Sequence, residues 1–213
     1  MTAWSVERVA GSPAEIHSLG LPSPVRRLVR RCEATSSAVV LGSTQPEPPP
    51  LPSPAGAVPV VRRRSGGGAV LVEPGDVLWV DVVVPRGDAL WDDDVGRAFH
   101  WLGDAWAAAI AGRRAVAHRG PLVTTRWSRA VCFAGLGPGE VTVGDRKVVG
   151  MSQRRTRDGA LFQCAALLAW RPGPLAERLG LPVDAFADLE RAAAPVSDAG
   201  DMLFDRFVHH LPR

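Results

Sequence analysis

Apolar and polar residues alternate cleanly over residues 76–84 (DVLWVDVVV), where Leu78, Val80 and Val82 oppose Trp79 and Asp81. With its β-branched content, this stretch predicts a strand. A period near 3.6 takes over after Asp92-Asp93-Asp94: Val95, Phe99, Leu102, Trp106 and Ile110 share one face down to Gly112. This predicts a helix with carboxylates at the end its dipole favours. Residues 24–32 (PVRRLVRRC) space Val25, Leu28, Val29 and Cys32 helically with four arginines between them. They predict an amphipathic helix whose basic face is either solvated or docks an acidic protein or nucleic acid.

Shorter apolar runs predict strands at 37–42, 58–64, 69–72, 115–118, 129–133, 140–143 and 147–151, and 159–170 reads as a central strand. Helical pieces follow at 174–179, 183–193 and 197–211. Leu203, Phe207 and Leu211 form a stripe in the last, and Gly200 weakens its first turn. Residues 45–57 hold the run PEPPPLPSP, which predicts an exposed stiff loop. Strands surround one long helix and helices close the chain, without regular alternation. That pattern predicts an α+β fold with a mixed, largely antiparallel sheet packed with helices, and argues against a doubly wound parallel one.

Composition narrows the function. The 213 residues are 46% hydrophobic and 22% charged, with no apolar run long enough to span a bilayer. No leader pattern is expected at the start, so the chain reads as cytoplasmic. Cys32, Cys132 and Cys164 suit neither a disulfide framework nor a zinc site, and no metal is expected. The formal net charge is +3, yet Lys147 is the only lysine and tyrosine is absent. A single lysine in an arginine-rich chain is either chance or a position where a guanidinium cannot serve.

Two segments carry chemistry. Residues 62–68 read RRRSGGG between two predicted strands. Consecutive glycines let the backbone turn freely and let a ligand approach, successive amides form an anion-binding hollow, and arginines can clamp an anion. A solvated hairpin is the plain alternative. The segment lacks the spacing of a P-loop or a dinucleotide fingerprint. Residues 140–155 (EVTVGDRKVVGMSQRR) read as a hairpin turning at Gly144-Asp145, with Lys147 starting the return strand. Inward, Lys147 needs an anion partner; outward, it is an edge charge. Taken alone, the outward reading is preferred.

Together these segments resemble the lipoate–protein ligase A family of the biotin and lipoate ligases. The carrying residues are RRRSGGGAV, GDRKVVGMSQRR about eighty residues later, and SSAVVLGSTQP at 36–46. The resemblance spans roughly 36–170. It implies one biotin/lipoate ligase-type catalytic domain over 1–213, with a helical tail at 172–213 and no accessory domain. It also implies attachment of a lipoyl or octanoyl group to a lysine of an acidic lipoyl-domain acceptor through an acyl-adenylate, with ATP consumed and Mg²⁺ as its cofactor. Lys147 matches the family's catalytic lysine. Arg62, Arg63, Ser65, Gly66, Gly67, Gly68 and Ala69 match the acyl- and adenylate-binding loop, and Arg64 falls at its variable position. Asp76, Gly150 and Ser152 complete the implied binding set.

The chain departs from the family pattern at Met151-Ser152, at Phe162-Gln163-Cys164 where the family has His-His-Gly, and at Val72-Glu73 where it has His-Asp. Cys132, fifteen residues before Lys147 in RAVCF, resembles the nucleophile of the cysteine-dependent octanoyltransferases. That branch draws its acyl group from an octanoyl carrier protein. A buried inert thiol is the alternative. The short tail after Trp170 favours a transferase or a ligase with a separate accessory subunit, whereas the Pro74-Gly75-Asp76 turn looks more like the ligase branch. A non-catalytic acyl- or nucleotide-binding relative also fits the departures. No nucleic-acid or membrane partner is expected, since a stacking aromatic array is lacking.

Overall fold

The computed structural model describes residues 3–50, 58–110, 112, 114–196 and 198–213. Seven strands form the main sheet: β1 (Ser5–Gly11), β2 (Leu28–Ala34), β6 (Val77–Pro85), β7 (Ala115–Ala117), β8 (Val141–Val143), β9 (Arg146–Arg155) and β10 (Gly159–Leu167). Their order is β1-β2-β6-β10-β9-β8-β7. The β1–β2 pair is parallel and the other pairs are antiparallel. A smaller sheet sets β3 (Ala38–Leu41) between β4 (Val60–Arg62) and β5 (Val70–Val72). The architecture is therefore α+β with a mixed, largely antiparallel sheet.

The helices are α1 (Pro13–Ser18), α2 (His100–Ala109), α3 (Pro172–Arg178), α4 (Asp184–Ala192) and α5 (Gly200–His209). The largest core cluster joins β6, β9 and β10 to α2 and α5, where Trp106 and Phe207 stack with centroids 4.1 Å apart. A second cluster joins β3 to α3 and α4 through Leu41, Ala69, Val131, Leu175 and Leu189. Among the described residues no helix is long and apolar enough to cross a membrane.

Three predicted elements take other forms. Residues 24–32 do not make a helix; β2 takes up the part from Leu28 on and lies between β1 and β6. Leu28 and Val29 are adjacent and both buried, because the strand is covered on both faces and loses its two-residue period. The arginines divide: Arg27, just before the strand, pairs with Asp88 at 2.7 Å with both nearly buried, and Arg30 is buried, whereas Arg26 and Arg31 pair at the surface with Glu7 and Asp201. The predicted strand 129–133 is a turn with a 3-10 segment at Cys132–Ala134, and Val131 alone bridges to Ala69. The helix expected from 92 starts at His100, after a 3-10 turn at Arg97–Phe99. Asp92 and Asp94 instead accept the amides of Asp94 and Arg97 and pair with the Arg97 side chain, which leaves Val95 57% exposed. β1 and α1 had no sequence expectation, although Ser12 and Glu15 form a capping box at the start of α1. Residues 51–57 of the Pro-rich loop and 197 of the last predicted helix lie outside the described residues.

Candidate active site

The two glycine-and-lysine segments meet. A cleft of about 630 Å³ is lined by Gly66, Gly67 and Gly68 together with Lys147, Glu140 and Cys132. The loop is locked by backbone contacts no side chain could replace. A Cβ on Gly42 would lie 1.9 Å from the Gly67 carbonyl oxygen, and one on Gly68 would lie 2.6 Å from the Cys132 nitrogen. Gly67 has φ +98°, the left-handed region that favours glycine. The amides of Gly66, Gly67 and Gly68 have no acceptor among the described residues, whereas neighbouring Ala69 is bonded to both Ala130 and Cys132. Free amides along a cleft wall form an anion cradle.

Lys147 points inward and is 3% exposed, opposite to the preference from its local sequence. Its ammonium donates to the carbonyls of Cys132 (2.8 Å) and Gly135 (3.0 Å) and pairs with Glu140 at 2.6 Å. It sits 4.0 Å from the Cys132 sulfur and 5.1 Å from the Phe133 ring centroid. Glu140 is itself fixed by the amides of Gly137 (2.6 Å) and Met151 (3.0 Å). Sequence reasoning missed Glu140; its one signal was an acid opening an otherwise apolar strand. Gly150 leaves room for the lysine stem, since a Cβ there would lie 3.2 Å from both Lys147 Cε and the Phe133 ring.

A narrow, mostly apolar pocket opens behind the cleft, and Cys132 and Met151 line both. Its walls include Val70, Trp79, Phe133, Gln163, His17 and Arg63. Arg63 donates to the carbonyls of Val40, Gly66 and Gly68 and so shapes the loop from behind. Burial lowers its proton affinity, and nearby Cys132 partly offsets this. Burial and the charge of Arg63 push His17 down to about 4, so its imidazole is neutral at pH 7. Gln163 lies 3.3 Å from both His17 Nδ1 and Asp81 Oδ1. Burial raises Asp81 to about 6, against hydrogen bonds from Trp79 and Gln163 and the charge of Arg30. His17 and Gln163 were also missed as site residues, though a polar residue inside the buried run LFQCAALL is a readable sign.

The remaining expected residues are placed as follows. Ser65 and Ser152 bond to each other at 2.9 Å, tying the glycine loop to β9. Arg62 turns away from the cleft to hold the Gly42 and Gln45 carbonyls and Glu47. Asp76 lies outside both cavities, paired with Arg171. Among the described residues no group of three or more His, Cys, Asp or Glu is placed to hold a metal ion.

Comparison with known proteins bears on the fold and the family. No curated protein matches the chain. Among solved structures, a lipoate-protein ligase A bound with ATP is 18% identical with a TM-score of 0.69, covering 99% of this chain and 84% of that one. The T. acidophilum protein Ta0514 with bound lipoic acid is 18% identical with a TM-score of 0.70, again covering 99% and 84%. A bi-partite lipoate protein ligase with its E2 lipoyl domain, from Thermoplasma acidophilum, is 17% identical with a TM-score of 0.71, covering 99% and 82%. At these identities the likeness shows a shared fold. The family is shown by its own model, the lipoyl protein ligase A/B catalytic domain, which matches residues 23–187, and the chain belongs to that family.

Proposed function

We propose that this protein is a ligase that attaches a lipoyl or octanoyl group to a lysine of an acceptor lipoyl domain through an acyl-adenylate. The observation that carries this reading is the junction at Cys132 and Met151. There an apolar pocket suited to an acyl chain meets an open cleft edged by free glycine amides and the Lys147 ammonium. Burying the chain contributes about 0.8 kcal/mol per methylene and brings its carboxylate to the junction. A carboxylate oxygen attacks the α-phosphorus of ATP, pyrophosphate leaves, and the acyl-adenylate remains. Lys147 and the amides of Gly66, Gly67 and Gly68 offset the negative charge that grows on phosphorus-bound oxygen. The neutral amine of the acceptor lysine then attacks the acyl carbon, AMP leaves, and the amide forms. Mg²⁺, when bound, would supply charge compensation on the nucleotide phosphates. The relatives bound with ATP and with lipoic acid, and the bi-partite lipoate protein ligase described together with its E2 lipoyl domain, support the choice of nucleotide, acyl group and acceptor; the acyl-adenylate rests on the junction itself. As with the bi-partite relative, a separate accessory subunit is compatible with it.

One observation favours a second reading. Cys132 lies at the same junction, 4.0 Å from Lys147 Nζ, where a thiolate could take an octanoyl group from a carrier protein as a thioester and pass it to the acceptor lysine. Two incubations with apo lipoyl domain separate the readings by mass. Lipoate with ATP and Mg²⁺ is expected to label the domain, and omission of ATP to abolish labelling. Labelling from octanoyl carrier protein without ATP, lost in Cys132→Ser, would instead establish the transferase. An unlabelled domain in both incubations would overturn both readings for the chain acting alone, leaving a non-catalytic relative or one that needs a separate subunit.

A further inference from the structure

A second concavity, of about 790 Å³, lies beyond the Ser65–Ser152 bond and includes Arg64, Arg86, Arg154, Arg157, Asp158 and Leu161 in its lining. It adjoins the acyl pocket on three elements. Arg64 follows Arg63. Arg154 stands two residues beyond Ser152 on β9, and Leu161 two before Gln163 on β10, where Leu161 and Arg154 are cross-strand partners. A spacing of two keeps the side chains on one face of each strand.

The charge here is uneven. Neighbouring arginines are committed to the fold: Arg62 to Glu47, Arg63 to three carbonyls, and Arg155 to the carbonyls of Asp92, Asp93 and Asp94. Arg64, Arg86 and Arg154 have no carboxylate partner among the described residues, and Arg157 meets only its chain neighbour Asp158, at 3.4 Å. Four arginines against one aspartate leave an excess of three positive charges in the lining. That equals the formal net charge of the whole chain, +3. A concave wall concentrates such a field and raises the local concentration of an opposite charge. Apart from Ser23 and Thr156, the rest of the lining is apolar, and none of it carries an aromatic ring, which suits a polypeptide loop better than stacked bases.

We propose that this cleft docks an acidic face of the acceptor domain, anchoring it while its lysine reaches the junction at Cys132. The proposal rests on the function given above and adds the surface that selects the partner. Arg154 and Lys147 are seven residues apart on β9, about 23 Å at the rise of a strand. A domain of about 80 residues, with a radius of gyration of about 12 Å, is wide enough to touch both.

The test is the triple variant Arg64→Glu/Arg86→Glu/Arg154→Glu in the full chain. The KM for apo acceptor is expected to rise at least tenfold and its dependence on NaCl to flatten. The kcat, and ATP–pyrophosphate exchange with lipoate alone, should be unchanged. Calorimetric binding of apo acceptor without nucleotide gives an independent readout and should weaken in parallel. An active wild type whose variant keeps its KM and acceptor affinity overturns the docking site. So does salt-sensitive binding of a single-stranded oligonucleotide that is lost in the variant while the acceptor KM is kept. Acceptor binding that depends on these arginines in a wild type that transfers nothing would support the docking site and sink the ligase reading.

Discussion

Replacing Lys147 with methionine is expected to lower transfer to the acceptor lysine by about a hundredfold to a thousandfold, the range seen when one pre-organised donor is removed from a site of developing charge. Methionine keeps the apolar stem against Phe133 and above Gly150, but it leaves Glu140 buried without its cation, so some loss of stability accompanies the loss of rate. Lys147→Arg should fail nearly as badly. The ammonium places three donors from one nitrogen onto Cys132, Gly135 and Glu140 within 3.0 Å, and a planar guanidinium spreads its donors over three nitrogens. This gives a physical reason why the chain's only lysine stands here. Single-turnover transfer rates, with circular dichroism confirming a folded protein, check both variants. An arginine variant with wild-type rates would contradict this account of the slot.

Glu140→Ala is expected to damage folding as well as activity. It removes the carboxylate paired with a buried ammonium and orphans the amides of Gly137 and Met151. Breaking a buried pair from one side costs about 3–5 kcal/mol. For a chain of this length that lowers the melting temperature by roughly 6–20 °C. Glu140→Gln should recover little, because its NH₂ group must face either an amide hydrogen or the ammonium. The double variant Glu140→Leu/Lys147→Met removes both charges together. It should melt closer to the wild type than Glu140→Ala does and remain inactive. Thermal unfolding of the set reads this directly. Equal melting temperatures for wild type and Glu140→Ala would show that the pair does not hold the site together.

Much of this layout can be read along the chain. The alternation at 76–84 becomes β6, the spaced apolar residues become α2 and α5, and the glycine run and the solitary lysine meet in one cleft. Local signals were weaker where tertiary contacts decide. β2 imitates a helix because burial on both faces removes its two-residue period. The acidic run at 92–94 looks like a helix start, but its carboxylates are taken by Arg97 and nearby amides. Arg62 and Arg63 are adjacent and alike in sequence, yet one braces the 42–47 turn and the other stands behind the glycine loop. Glu140 gains its importance only when the β8–β9 hairpin folds Lys147 back beside it. The walls of the pocket come from α1, β3, β5, β6, β9 and β10 and from the turn at Cys132 and Phe133, a combination no local window contains.

The central claim is that an acyl group lies in the apolar pocket with its activated end between Lys147 and the glycine amides. A crystal structure of the protein with lipoyl-adenylate tests it most directly. The chain should run past Trp79 and Val70, with its phosphate and carbonyl oxygens hydrogen-bonded to Lys147 Nζ and to the amides of Gly66, Gly67 or Gly68. A ligand ordered elsewhere, with Lys147 still bonded only to Cys132, Gly135 and Glu140, would contradict it.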